Sequence, residues 1–193
     1  GKSWMLLLMA VSVDSGSNVL WPVVQKPVLF INLERSKRSL QNRLGVVNRV
    51  LGLDPERPLR MMNARGRSLS DIYGAAEKSI EMGRCECVAL DSISRAGAGD
   101  LKENAPVNRI MDMMNGLSHS WVGIGHTPRG EDDHIYGSIH FEAGADVMLQ
   151  MTSQHIDNTI GLGLKITKDN DLGVRELQVI ALEFTEGQGL TKV

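Results

Sequence analysis

The chain has 193 residues, 42% of them hydrophobic and 23% charged, the length and composition of one soluble globular domain with a substantial core. Twenty-one Lys and Arg against 23 Asp and Glu leave a net charge of −2, which excludes a general basic coat for nucleic acid but not a local basic patch. Aromatic residues at 4% are too few for an extended base-stacking platform, and two cysteines, Cys85 and Cys87, cannot make a disulfide framework.

In chain order, the apolar run Trp4 to Val13 is too short to span a bilayer. It also lacks the basic lead-in and small-residue cleavage site of a signal peptide. Ser3 to Val13 reads as a helix. Val28 to Leu33 follows Pro27 and reads as a buried strand. Arg35 to Leu51 places Leu40, Leu44, Val47 and Leu51 on one helical face. Residues 52–67 read as a connection with room for one strand. Ser68 and Asp71 open a helix to Met82 with a capping-box pattern, and Gly83 is expected to stop it. Cys87 to Leu90 is a second buried strand, ending in Asp91. Arg95 to Pro106 reads as a loop. Val107, Ile110, Met111, Met114 and Leu117 make the core stripe of another helix. Trp121 to Gly125 is a third strand, and Pro128 to Tyr136 a polar loop. Ala145 to Met151, Ile160 to Thr167 and Glu176 to Phe184 are further strands. The last two are expected to form a hairpin around a Lys168 to Gly173 turn.

Strands alternating with helices predict an α/β fold with a mostly parallel sheet covered on both faces and a C-terminal antiparallel hairpin. Chemistry in such sheets gathers at the carboxyl ends of the strands. Glu34 follows the first strand, where a carboxylate can orient and deprotonate a water; alone it is equally a helix-start acid. Asp91 follows the second, as a Mg²⁺-holding acid would, and alone is equally a helix cap. His126 and Arg129 follow the third, where one can donate to a phosphate oxygen and the other neutralise its charge. Gly1-Lys2-Ser3 runs straight into a helix and matches the end of G-x-x-x-x-G-K-[ST]. In that motif the Lys meets the outer phosphates, the Ser hydroxyl ligates Mg²⁺, and the helix amides face the anion. The spacing of Cys85, Cys87, His134 and His140 fits no tetrahedral zinc motif.

These segments in this order resemble a RecA-like P-loop ATPase of the group that holds RepA-type hexameric helicases and phage or plasmid AAA ATPases. The DnaB-type replicative helicases are a more distant likeness. The resemblance rests on residues 1–16, 28–44, 87–100, 121–130, 136–151 and 164–173. It implies that Gly1, Lys2 and Ser3 belong to the Walker A motif, with Arg129 also at the nucleotide. Glu34 takes the place of the catalytic glutamate, Asp91 of the Walker B acid and His126 of the γ-phosphate sensor. Lys168 takes the place of a lysine that a neighbouring subunit inserts into the ATP site. The stretch from Gly137-Ser138 to Ala145-Asp146 resembles the segment after the central-channel loop.

The departures are Tyr136 where a basic residue is usual, and Asn170 where an arginine finger is usual. The first strand and first P-loop glycine do not precede Gly1, so the chain is expected to begin inside a longer protein. The implied whole is a single RecA-like domain over residues 1–193, binding ATP and Mg²⁺. It would act on single-stranded DNA as a homo-oligomer, a hexameric ring foremost, in the cytoplasm and away from membranes. Arg95, Lys102, Arg129 and His134 are its candidate DNA contacts, and each is equally an ordinary solvated loop residue. Two other readings stand beside this one. One is a RecA-like ATPase with a regulatory or loading role and no unwinding. The other is a degenerate module that binds nucleotide without turnover.

Overall fold

Helix α1 (Lys2–Ser15) is apolar around most of its circumference, and Met5, Leu6, Leu7, Leu8, Ala10, Val11 and Ser12 are all buried. A helix of that kind must be covered on several sides. In the computed structural model, which describes residues 1–97, 99–127, 135–137, 139–171, 178–185 and 189–192, two sheets and a second helix cover it.

The first sheet is parallel. Its strands are β1 (Val28–Asn32), β2 (Arg60–Asn63), β3 (Cys87–Asp91) and β4 (Ser120–Gly123), in spatial order β2-β1-β3-β4. Every residue of β1 is buried, as a central strand covered on both faces requires. Successive side chains divide between the faces. Leu29 and Ile31 join an apolar cluster with α3 (Leu69–Gly83) and α5 (Asn104–Leu117). Val28 and Phe30 join the other cluster, with α1 and α2 (Lys37–Val50). The register sets Asn32 opposite both Asn63 and Asp91, so three polar side chains end adjacent strands.

The helix starts follow local chemistry. Ser39 N–H donates to the Ser36 hydroxyl at the head of α2. At α3 the expected capping box forms, with Asp71 N–H donating to Ser68 Oγ and Ser68 N–H to Asp71. Gly83 does not make the left-handed stop expected of it. It is the last helical residue, and Arg84 takes the left-handed turn with φ 49°. A Cβ at Gly83 would fall 2.2 Å from Nε of the exposed Arg60, whose side chain would have to move aside.

Three expectations about the chain's second half are corrected. The loop over Arg95 to Pro106 contains the end of α4 (Ile93–Ala96) and the start of α5. The C-terminal hairpin is part of a four-stranded antiparallel sheet, β5-β6-β7-β8, formed by Val147–Ile156, Thr159–Asp169, Gln178–Thr185 and Gly189–Lys192. The tight turn missed at sequence level is Asp157-Asn158 between β5 and β6, where Asp157 takes φ 49° and Thr159 pairs with Ile156. Lys168 lies within β6, in register with Met148, and not in the following turn. Leu162, Leu164, Leu182 and Leu190 of this sheet pack into the cluster that holds α1.

Leu8 sits at the centre of that arrangement with no exposed surface. Leu8→Ala is expected to lower folding stability by about 2–5 kcal/mol in a urea titration, the usual cost of such a buried deletion. A loss under about 1 kcal/mol would mean that the region collapses around the gap and that α1 is not the core element described.

Candidate functional site

The carboxyl end of the parallel sheet is organised by Asn32, which has no exposed surface. Its Nδ2 donates to the Arg35 carbonyl at 2.8 Å and to Asn63 Oδ1 at 3.1 Å. Its Oδ1 accepts the amides of Glu34 at 3.3 Å and Arg35 at 2.9 Å. The Leu33 amide donates to the Asp91 carbonyl at 2.7 Å. The loop carrying Glu34 is therefore pinned to the end of β3. Sequence reasoning missed Asn32. Its signal was a polar residue closing an otherwise apolar strand.

Asp91 is the central feature. It is completely buried, and neither carboxylate oxygen has a hydrogen-bond partner of full geometry. Burial pushes its pKa up. The adjacent Ser3 hydroxyl works against that shift, Glu34 adds to it, and Arg35 and Arg43 oppose it. An orphaned buried carboxylate beside a serine hydroxyl is an oxygen donor set that suits a hard divalent cation. Asp91 and Ser3 fit Mg²⁺ in this sense, and they are the residues that would hold it.

Ser3 reaches Asp91 because it lies in the first turn of α1. That helix begins with Gly1 at its cap, no capping side chain and no acid in the first turn. The Gly1 carbonyl accepts the amides of Trp4 and Met5, both at 3.1 Å. The first amides of α1 and its positive dipole end thus remain available to an anion. Gly1 packs closely against the second sheet, where a Cβ would stand 3.0 Å from Met151 Cε. Lys2 is half-buried at the same helix end.

Arg35 and Arg43 also reach this site, and neither was singled out from the sequence. Arg43 stacks over Trp4 with its guanidinium carbon 4.7 Å from the ring centroid. Burial and then the neighbouring Arg35 hold its pKa below the ordinary arginine value, while Asp91 acts in the opposite direction. The available signal was position. Arg43 follows Leu40 by three residues and precedes Val47 by four, which puts a cation on the buried face of α2.

The structure brings Gly1, Lys2, Ser3, Glu34 and Asp91 to one end of the sheet. His126 is exposed three residues beyond β4, at the same end, and its carbonyl accepts the Tyr136 amide at 2.6 Å. Arg95 and Lys102 are exposed in the segment after β3. Lys168 donates to the carbonyls of Glu142 at 2.7 Å and Ala143 at 3.1 Å, at the carboxyl end of α6 (His140–Gly144). Asn170 donates to Asp146 Oδ1 at 3.2 Å. Arg129 and His134 lie outside the described residues, as does Ser138.

Because the folded state raises the Asp91 pKa, in the interval between the unfolded and the folded value the native protein holds a proton that the unfolded chain has released. Stability of the metal-free protein therefore falls as pH rises through the folded value. Asp91→Asn removes that fall. Denaturation of both proteins between about pH 4 and pH 7 should show a flatter profile for the variant and at least parental stability near neutrality. Parallel profiles would refute the buried, uncompensated carboxylate.

Among the described residues, no helix is long and apolar enough to cross a membrane. No curated protein matches the chain. The family model described as AAA domain matches residues 1–125, a span that runs from the Gly1-Lys2-Ser3 helix start through Glu34 and Asp91 to the end of β4. The chain belongs to the AAA domain family, whose members are nucleotide-binding ATPases.

Proposed function

We propose that this domain hydrolyses ATP with Mg²⁺ at the carboxyl end of the parallel sheet, as the motor of an oligomer that acts on DNA. The observation that carries the hydrolytic reading is the buried, unpaired Asp91 carboxylate beside Ser3 at the amino end of α1. Lys2 and the first amides of α1 bind the outer phosphates. Ser3 and Asp91 hold the metal, which when bound supplies Lewis-acid charge at the phosphate oxygens. Glu34, on the loop pinned by Asn32, orients the attacking water and accepts its proton. His126 donates to the γ-phosphate from beyond β4.

Action on single-stranded DNA is supported by the resemblance to plasmid and phage helicases and by the exposed Arg95 and Lys102 after β3. In a hexameric cytoplasmic ring, Lys168 would serve the neighbouring ATP site. To do so its ammonium must leave the two α6 carbonyls that hold it.

Two substitutions separate the roles. Lys2→Ala should abolish binding of a fluorescent ATP analogue. Glu34→Gln should keep binding and lose turnover by about 10²-fold or more, since only the water activator is removed. Parental turnover in Glu34→Gln would sink the assignment of the general base. Parental binding in Lys2→Ala would sink the nucleotide site itself.

A further inference from the structure

Each of two half-buried guanidiniums at the site has one buried nitrogen without a hydrogen-bond partner. Arg35 Nε and Arg43 Nη1 are shut off from water, and neither has a hydrogen-bond partner among the described residues. Leaving a buried charged donor unfilled costs more than leaving a neutral one. The Asp91 carboxylate favours both charges, yet it accepts a hydrogen bond from neither. The two cations also repel one another.

Each is tethered to the site by a different contact. Arg35 is held by its backbone, with its amide and its carbonyl both bonded to Asn32. Arg43 reaches from α2 to the first turn of α1, with its guanidinium carbon over the ring of Trp4, next to Ser3 in the chain. A cation–π contact of that kind helps to place the guanidinium and leaves N–H groups able to donate. Two mutually repelling cations that each lack an acceptor, at the amino end of a helix, are well complemented by an anion with more than one negative charge.

We infer that Arg35 and Arg43 form a phosphate clamp in cis, taking the outer phosphates of a nucleoside triphosphate together with Lys2 and the amides of α1. The inference rests on the nucleotide reading above and adds two binding residues to it. It also assigns a source for the charge that Asn170, standing where a finger arginine is usual, does not supply. Because both arginines belong to the chain that carries Ser3 and Asp91, phosphate neutralisation does not wait for a neighbouring subunit.

The test is equilibrium binding to the full chain in metal-free buffer. A fluorescent ATP analogue, inorganic pyrophosphate and AMP are titrated into the parent, Arg35→Gln, Arg43→Gln and Lys2→Ala. Each glutamine variant should weaken ATP and pyrophosphate about 10- to 100-fold, as loss of a charge-assisted contact does, and should leave AMP within about twofold. Parental affinity for ATP and pyrophosphate in both glutamine variants overturns the clamp. If Lys2→Ala loses binding in that same experiment, the nucleotide site stands and only the clamp falls. If Lys2→Ala also binds as the parent does, both fall. A melting experiment on the parent alone covers the case of a variant that does not fold. Pyrophosphate should raise its melting temperature and AMP should not. Equal shifts, or none with pyrophosphate, overturn the inference.

Discussion

Helix α1 has almost no solvent face, and much of the molecule follows from covering it. The parallel sheet supplies one wall through Val28, Phe30 and Ala89, and α2 another through Leu40 and Val47. The antiparallel sheet adds Leu162, Leu164, Leu182 and Leu190. Packing of that density leaves a helix little freedom to slide or rotate. Its amino end is thereby held where the parallel strands end, and the Ser3 hydroxyl is carried to Asp91. An apolar helix thus aims a polar terminus.

The polar chemistry of the site is built on incomplete pairing. Asp91 is buried without a full hydrogen bond, and Arg35 and Arg43 each keep a buried donor unfilled. Native interiors seldom leave such groups unpaired, and those that remain tend to mark function. Here unpaired anionic and cationic groups occur side by side and do not simply quench one another. A divalent cation complements the carboxylate, and a polyphosphate complements the arginines. Mg-ATP carries both. The unpaired groups and the chemistry of the proposed ligand are two aspects of one electrostatic pattern.

Asn32 shows how backbone and site are joined. One amide side chain ties β2, β1 and the Glu34 loop together with four hydrogen bonds. It occupies the same register level as Asp91. The general base and the metal ligand of the proposed reaction are therefore joined through one hydrogen-bonded frame.

Short-range pattern in the amino-acid sequence determined most of the first 125 residues: the buried strands, the amphipathic α2 and α5, the Ser68 capping box and the acid closing β3. Periodicity and strand-end position are local properties, so Lys2, Ser3, Glu34 and Asp91 were legible as candidates before any fold was known. Tertiary structure alone decided what was not local. The antiparallel sheet depends on register across long strands, and the β5–β6 turn carries Asp157 and Asn158 in place of the glycine that marks many hairpins. Lys168 read as a turn residue because Asp, Asn and Gly follow it, but pairing with β5 carries the strand through it. Arg43 was not singled out, since a charge pattern does not tell which face another helix will cover. Only the packing of α1 against α2 puts that guanidinium over Trp4 and beside Asp91, because burial and charge proximity are properties of the assembled fold.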